Sequence, residues 1–268
     1  MTDVALHPRI LSLCSGIGGL DLGIGLALPG ARTVCFVERE YPVCEVLAAR
    51  MDEGALDYAP IHTDLRAFDG RPWRGRVDIV AAGYPCQPFS VAGKRRGEED
   101  ERHLWPEVMR IIGEVGPSLV FLENVAGHLR LGFDRVLGDL ADLGFDAEWS
   151  LVRASDVGAP HRRERLFILA HPRSMCSSYA DREGLEGWEL RLGMGDASQG
   201  IARPPGPEGD WSHIREELWP ARPQSDFRGV ANGLPSRVDR IRSLGNAVVP
   251  QQAAHAFRGL LMRAISNL

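Results

Sequence analysis

The residues of this sequence with the clearest chemical potential are a cysteine and an acid that each follow a short apolar run. Cys86 lies in the stretch 83–90, which reads Gly-Tyr-Pro-Cys-Gln-Pro-Phe-Ser. Residues 77–82 before it predict a buried strand, and the Gly-Tyr-Pro predicts its end. A thiol held between two prolines after a strand suits a nucleophile. The competing interpretation is a buried, inert cysteine, which is the commoner fate of a lone one.

Glu123 begins the triplet Glu-Asn-Val after the apolar residues 118–122. Cys86 and Glu123 are both predicted at carboxyl ends of strands, and therefore on the same edge of a parallel sheet. A thiolate beside a carboxylic acid suits addition to a ring, because the sulfur attacks while the acid protonates a ring nitrogen. Glu123 could instead be a surface acid or the neighbour of a helix N-cap.

A glycine-rich turn and two acids predict a site for a nucleoside cofactor. The stretch 13–19, Leu-Cys-Ser-Gly-Ile-Gly-Gly, stands where a first strand turns into a helix. Its spacing is not G-x-G-x-x-G, which argues against a dinucleotide. Glu38 ends the predicted second strand and could accept both ribose hydroxyls. Asp64 ends a predicted third strand and could accept from an adenine amino group.

Basic residues cluster although the formal net charge is −5. The clusters are 94–96, 162–165 and 237–242, and a local basic face is enough to hold phosphates. Alternation along the strand that follows residue 161 would place Arg163 and Arg165 on one face. A salt-bridged edge strand would have the same pattern.

Short apolar runs alternate with helical patterns through most of the chain. Strands are predicted at 10–14, 33–37, 77–82, 119–122, 147–152 and 166–170, and helices at 18–28, 42–51, 105–115, 133–143 and 250–265. The alternation predicts an α/β fold, with a mostly parallel sheet and helices on both faces. Residues 172–228 have little periodicity but contain tryptophans, which predicts an inserted small domain or a partly disordered segment.

Composition excludes several classes of protein. The chain has 268 residues, of which 44% are hydrophobic and 25% charged, as in ordinary soluble proteins. No apolar run is long enough to span a bilayer, and the first residues do not read as a signal peptide, so we expect a cytoplasmic protein without membrane contact. Its five cysteines form no C-x-x-C pair, which argues against a disulfide framework and against bound metal.

Together these stretches resemble the DNA (cytosine-5) methyltransferases. The pairing of Pro-Cys-Gln-Pro-Phe-Ser with Glu-Asn-Val is highly specific, whereas the glycine turn alone is not. Order and spacing agree over nearly everything outside 172–228. The matching positions are 13–19, Glu38, Asp64, 83–97, Leu104-Trp105, 123–125, 162–165 and 243–250.

The resemblance implies the S-adenosylmethionine-dependent methyltransferase fold, with a small inserted recognition region. Residues 1–170 and 236–268 would form the catalytic domain, and 171–235 the target-recognition region. The implied reaction is methyl transfer from S-adenosylmethionine to C5 of a cytosine flipped out of duplex DNA. We expect a monomer that acts on double-stranded DNA, with a cognate restriction endonuclease as a candidate partner.

The resemblance also implies roles for individual residues. Cys86 would attack C6 of the base, and Glu123, kept protonated by burial, would hold N3 and the amino group. Arg165, with Arg163 nearby, would lie beside O2 and the reacting centre. The positions implied to line the cofactor site are Gly16, Ile17, Gly19, Glu38, Asp64, Pro85, Leu104, Asn246 and Val248. A loop closing over the DNA would supply Ser90, Lys94, Arg95 and Arg96.

Two residues depart from the family's usual pattern, and three other functions compete. Cys14 stands where most members have Phe, and His161 where they have Gln. An RNA methyltransferase of the same fold would share the cysteine chemistry, but that branch usually has Thr at the position of Ser90. A zinc deaminase would need an H-x-E triplet and a second cysteine after the Pro-Cys, which this sequence lacks. A DNA-binding module without activity would need neither Cys86 nor Glu123.

Overall fold

The computed structural model describes residues 7–85, 104–173 and 247–266. Its strands, in chain order, are β1 (Arg9–Leu13), β2 (Arg32–Val37), β3 (Ile61–His62), β4 (Ile79–Ala82), β5 (Leu119–Val125), β6 (Phe145–Arg153) and β7 (Glu164–Pro172). The α-helices of these ranges are α1 (Gly19–Ala27), α2 (Tyr41–Asp52), α3 (Trp105–Val115), α4 (Phe133–Asp142) and α5 (Pro250–Ser266).

The strands form one seven-stranded sheet in the order β3-β2-β1-β4-β5-β7-β6. The pairs from β3 to β5 are parallel, and β7 alone runs antiparallel to its neighbours β5 and β6. The predicted α/β fold with a mostly parallel sheet is therefore confirmed. Strand β2 pairs with one edge of β1, and β4 pairs with the opposite edge, so the strand order reverses between β1 and β4. Ligands bind at such a switch point, beyond the carboxyl ends of the strands.

Helices cover both faces of the sheet because alternate strand residues point to opposite sides. In β4, Ile79 and Ala81 belong to the core packed under α1 and α5, whereas Val80 and Ala82 belong to the core under α3 and α4. The first core is centred on aromatic rings, with Phe121 of β5 lying 5.0 Å from Phe257 of α5 between ring centroids. A smaller cluster holds α2 against β2.

Two strands extend further than the apolar runs that predicted them. β5 continues through Glu123 to Val125, so Glu123 lies inside the strand and not after it, because antiparallel pairing with β7 extends beyond the end of β4. β7 continues through His171 to Pro172, where it pairs with the start of β6. The sheet therefore includes the first two residues of the predicted recognition region, 171–235. No helix in the described ranges is long and apolar enough to cross a membrane.

Candidate active site

Glu123 and Arg165 form a largely buried ion pair at the carboxyl edge of the sheet. Arg165 Nε lies 2.9 Å from Glu123 Oε1, and Glu123 is only 8% exposed. The pair forms because β5 and β7 are antiparallel, with Val125 opposite Arg165 in the register. Burial raises the pKa of Glu123, and the positive charges of Arg165 and Arg163 offset only part of that rise. The direction is the one that the sequence predicted.

Gly83 connects this acid to the segment that carries Cys86, called here the cysteine loop and beginning at Gly83. It also connects the acid to the glycine turn, residues 13–19. A Cβ atom placed on Gly83 would lie 3.7 Å from Glu123 Oε2 and also 3.7 Å from the Cys14 carbonyl oxygen. Gly83 follows β4 directly and precedes Cys86 by three positions. The start of the cysteine loop, the acid and the end of β1 thus meet at one edge of the sheet.

The start of the cysteine loop is tied to β5. The Asn124 side-chain Nδ2 donates a hydrogen bond of 3.1 Å to the Tyr84 carbonyl oxygen, and the Tyr84 ring packs 5.0 Å from the Trp105 ring. Tyr84 is buried and Pro85 is exposed, while Leu104, half-buried, precedes α3 at its N-cap. Pro85 and Leu104, the described residues on either side of 86–103, are two of the predicted cofactor positions.

Arg163 is held between β7 and the segment that begins α5. Its Nη2 donates to the Ala247 carbonyl oxygen. In return, Gln252 Nε2 donates to the Arg163 carbonyl oxygen at 2.9 Å and to the Val152 carbonyl oxygen at 2.6 Å. These bonds hold the residues that lead into β7. They therefore help to position Arg165, the arginine that faces Glu123.

The predicted glycine turn is present between β1 and α1. Cys14, Gly16 and Gly18 all have positive φ, of 50°, 54° and 79°. The Gly16 amide donates to Glu38 Oε2 at 2.8 Å, and the Glu40 amide donates to Oε1 at 2.9 Å. The two carboxylate oxygens together can accept about four hydrogen bonds, and backbone amides of Gly16, Arg39 and Glu40 account for three. The geometry suits a carboxylate that receives ribose hydroxyls, and burial raises the pKa of Glu38 despite these bonds.

The first turn of α1 lies against the segment before α5. A Cβ atom on Gly19 would clash with the Val248 carbonyl oxygen, so only glycine permits this approach. Ile17 is buried, and its carbonyl oxygen accepts a 2.6 Å bond from Arg50 Nη1. Three predicted cofactor positions, Ile17, Gly19 and Val248, are thereby brought to one turn.

Asp64, another predicted cofactor position, lies at the protein surface. It is exposed, two residues beyond β3, and its Oδ1 accepts from the Arg66 amide at 2.9 Å. Because β3 pairs with β2 in parallel, with His62 opposite Val37, Asp64 and Glu38 follow the ends of neighbouring strands. The structure thus brings both acids to the same edge.

The described cysteines are poor nucleophiles. Burial, with the nearby Glu38 charge, raises the pKa of Cys14 to about 12, and burial raises the pKa of Cys35 to about 11. The pKa of Cys44 is also raised, first by burial. Since the thiolate is the reactive form, none of these three thiols is prepared for attack at neutral pH.

Some predicted positions lie outside the described ranges. They are Cys86, Ser90, Lys94, Arg95, Arg96, Asn246 and nearly all of the predicted recognition region. Within the described ranges, no three acidic, histidine or cysteine side chains are grouped as metal ligands. The sequence prediction passed over Tyr84, His128 and Gln252, which support the site. A signal existed for Gln252, a polar residue among the apolar positions of α5, which include Ala253, Ala256 and Phe257.

Comparison with known proteins decides the family. The sequence model of the family described as C-5 cytosine-specific DNA methylase matches residues 8–183, which is more than half of the chain. The chain belongs to this family. All the described elements from β1 to β7 lie within the match, whereas α5 lies beyond it.

Several curated relatives, described as Type II methyltransferases, are similar in sequence. The Type II methyltransferase M.NgoMIV of Neisseria gonorrhoeae is 37% identical over 164 residues, which are 60% of this chain and 50% of the relative. The Type II methyltransferase M.CviJI of Paramecium bursaria Chlorella virus IL3A is 34% identical over 256 residues, which are 94% of this chain and 59% of the relative. The chain thus spans only about half of the length of such relatives.

Solved structures share the fold of this family. A DNMT2 mutant from Spodoptera frugiperda matches with a TM-score of 0.52 and 22% identity, over 62% of this chain and 50% of that one. A putative DNA modification methyltransferase from an Escherichia coli prophage matches with a TM-score of 0.52 and 25% identity, over 63% and 47%. The fold is that of the S-adenosylmethionine-dependent methyltransferases.

Proposed function

We propose that this chain transfers a methyl group from S-adenosylmethionine to C5 of a cytosine in duplex DNA. The observation that carries the proposal is the meeting, around Gly83, of the Glu123 carboxyl group, the Cys14 carbonyl and the start of the cysteine loop. Family membership supports the reaction type. The relatives named above are described as Type II methyltransferases, and this supports DNA as the substrate.

The residues around the glycine turn fit the cofactor. Glu38 has the half-buried, hydrogen-bonded carboxylate that ribose hydroxyls need, and the turn at Gly16 leaves open space where a side chain would otherwise stand. Ile17, Gly19, Val248, Pro85 and Leu104 would complete the walls. S-adenosylmethionine held there would supply the methyl group from its sulfonium.

Glu123 has the properties of the acid that the reaction requires. In the proposed step, the Cys86 thiolate adds to C6 of the base while Glu123 gives its proton to N3. This addition breaks the aromaticity of the ring and makes C5 nucleophilic toward the methyl group. Loss of the C5 proton and of the thiol then restores the ring. Burial raises the pKa of Glu123, which favours its protonated form, and Arg165 at 2.9 Å orients the carboxyl group.

Cys86 is the cysteine to which the proposal assigns the nucleophilic attack. The described cysteines, one buried and two half-buried, have raised pKa values. Cys86 follows Pro85 and lies three positions after Gly83, which is close to Glu123. A cationic neighbour such as Arg163 or Arg165 would favour its thiolate. Because C6 is inaccessible inside a stacked duplex, the base must be flipped out, which requires a few kcal/mol from protein contacts.

Other parts of the proposal rest on the sequence. Ser90, Lys94, Arg95 and Arg96 would contact the DNA, and residues 171–235 would select the target. A monomer, a cytoplasmic location and a cognate restriction endonuclease stay predictions.

The first test replaces Cys86 by Ser and compares it with Cys44→Ser, a matched exchange at a described cysteine. We expect Cys86→Ser to bind cofactor and DNA but to transfer no methyl group from radiolabelled S-adenosylmethionine, and to form no adduct with DNA containing 5-fluorocytosine. Cys44→Ser should keep both activities. Full transfer by Cys86→Ser would remove this residue from the mechanism. Transfer to matched RNA but not to DNA would favour the RNA-modifying alternative.

A second test uses Glu123→Gln, which keeps the shape of the side chain but cannot donate an acidic proton. We expect turnover to fall by about 10²–10⁴-fold, the usual contribution of a general acid. Cofactor affinity, measured by calorimetry, should change little, because Glu123 pairs with Arg165 and the proposed acceptor of the ribose hydroxyls is Glu38. Equal turnover of the two proteins would contradict the assigned role.

A further inference from the structure

His128 is a buried histidine close to the site, and the reaction proposed above does not use it. It is 4% exposed and lies in the short 3₁₀ turn that follows β5. Its Nε2 lies 3.0 Å from the Tyr84 hydroxyl, and the two rings meet edge to face at 5.7 Å between centroids. The other nitrogen, Nδ1, is buried beside the Leu131 backbone and makes no regular hydrogen bond within the described ranges. Within the described ranges, the side chain that hydrogen-bonds the His128 ring is therefore Tyr84, through its hydroxyl group.

The two residues stand on the segments that leave the neighbouring strands β4 and β5. Tyr84 comes two positions before Cys86, and His128 comes five positions after Glu123. Their hydrogen bond therefore joins the cysteine loop to the turn beyond the acid. It is the second such connection, since Asn124 already holds the Tyr84 backbone carbonyl.

One connection alone would leave the loop free to pivot. The Asn124 bond fixes one atom of the Tyr84 backbone, and the residue could still rotate about that point. The Tyr84 hydroxyl lies at the far end of the ring from the backbone, so a bond there fixes the direction of the side chain as well. The Trp105 ring, 5.0 Å away, closes the remaining side.

We propose that Tyr84 and His128 are a positioning pair, which sets the start of the cysteine loop relative to Glu123. The inference rests on the proposed function for its catalytic consequence, but the positioning itself can be measured without methyl transfer. Burial lowers the pKa of His128, so the imidazole is neutral at neutral pH and can share one hydrogen with the phenol in either tautomer. Neither residue is assigned a contact with the substrate.

The test begins with Tyr84→Phe, which removes only the hydroxyl and keeps the ring against Trp105. We expect the single-turnover rate of adduct formation on 5-fluorocytosine DNA to fall about 10-fold or more, because small displacements of reacting groups have effects of this size. The dissociation constant for the cofactor should change less than twofold. His128→Leu should give the same loss, and the double variant should lose no more than either single one. His128→Gln, which can offer an amide near the Nε2 position, should recover part of the rate.

A second measurement follows the loop without chemistry on DNA. The alkylation rate of Cys86 by iodoacetamide, located by peptide mass spectrometry, should change equally in Tyr84→Phe and His128→Leu. It should not change in the control Tyr58→Phe, whose ring is 87% exposed. If the parent protein methylates no DNA while alkylation shifts in this pattern, the proposed function fails and the positioning pair stands. If alkylation and adduct rates in Tyr84→Phe equal those of the parent, or if the two single losses add in the double variant, the pair is refuted.

Discussion

At the scale of single residues, two buried carboxyl groups differ because their neighbours differ. Glu123 faces the Arg165 guanidinium, whereas Asp21 of α1 accepts hydrogen bonds from two hydroxyl groups and lies near the charge of another acid, Asp57. Ser12 Oγ donates to Asp21 Oδ2 at 2.9 Å, and Thr33 Oγ1 donates to Oδ1 at 3.0 Å. Burial raises the pKa of Asp21 to about 6, against these bonds. A cation compensates the buried charge in one case, and only dipoles do so in the other.

Asp21 therefore predicts a dependence of stability on pH. Its folded pKa lies above the unfolded one, so the folded state holds the proton more tightly, and stability should fall as pH rises from about 4 to above 6. The loss attributable to this group is at most roughly 3 kcal/mol, at about 1.4 kcal/mol per pKa unit. In Asp21→Asn, the part of the pH dependence of stability that comes from this carboxyl group should vanish.

Urea unfolding of both proteins at pH 4, 5, 6 and 7 measures this effect. The free energy of unfolding of Asp21→Asn minus that of the parent should increase steadily over the series. Ser155→Ala, at a half-buried position of the turn before β7, removes no ionisable group and provides a control expected to follow the parent. A constant difference between Asp21→Asn and the parent would show that Asp21 has an ordinary pKa.

From the sequence, the residues proposed to carry the chemistry could be singled out more readily than those that support them. Glu123 and Arg165 could be predicted because each follows or enters an apolar strand within a specific motif. The contact between Tyr84 and His128 joins positions 44 residues apart, and that between Gln252 and Arg163 joins positions 89 apart. Such contacts depend on which strands are neighbours, and no local pattern encodes that.

At the scale of elements, α5 is as much a part of the site as the strands are. It closes one face of the sheet, and the residues at its start approach both Gly19 and Arg163. Gln252 is fully buried and supplies the donor for two carbonyl oxygens, those of Val152 and Arg163. The helix thus links the glycine turn to the arginines that face Glu123.

Gln252→Leu should therefore disturb both stability and catalysis. The buried Val152 carbonyl oxygen would lose the Gln252 donor, at a cost of about 1–3 kcal/mol. The Arg163 carbonyl oxygen would lose the same donor but keep the Ala154 amide at 3.2 Å. Turnover should also fall, because the approach of Arg163 to β7 is no longer fixed. Chemical denaturation and methyl-transfer assays measure the two effects. His255→Gln, at an exposed position of the same helix, should match the parent in both, and an equally active Gln252→Leu would contradict the link.

Element positions could be predicted from periodicity, but their ends could not. Helix α3 was predicted at 105–115 and is found at Trp105–Val115, because Pro106 and Gly116 mark its boundaries locally. Strand β5 was predicted to stop before Glu123 because hydrophobicity stops there. Its pairing with β7, which lies far along the chain, extends it to Val125.

At the scale of the whole molecule, the described ranges form one sheet with its helices, while most of the predicted recognition region lies outside them. Exchanging residues 174–228 for the corresponding segment of a relative should change the DNA sequence that is methylated. The side chains of Glu123 and Arg165, proposed to be catalytic, would be untouched, so the rate on the new target should be of similar order. Bisulfite sequencing of DNA from expressing cells reads the target directly. Methylation of the original target by the chimera would place specificity elsewhere, and the parent protein expressed in the same cells serves as the control.

The packing of α5 against α1 has a consequence for folding during synthesis. Arg258 donates to the carbonyl oxygens of Leu26 and Ala27, which lie 232 and 231 positions earlier in the chain. At a synthesis rate of about 5–20 residues per second, α1 would wait about 10–50 s on the ribosome for this partner. During that interval the nascent sheet would expose the apolar surface that Phe257 later covers. The growing polypeptide would therefore be a client for chaperones until translation has passed α5.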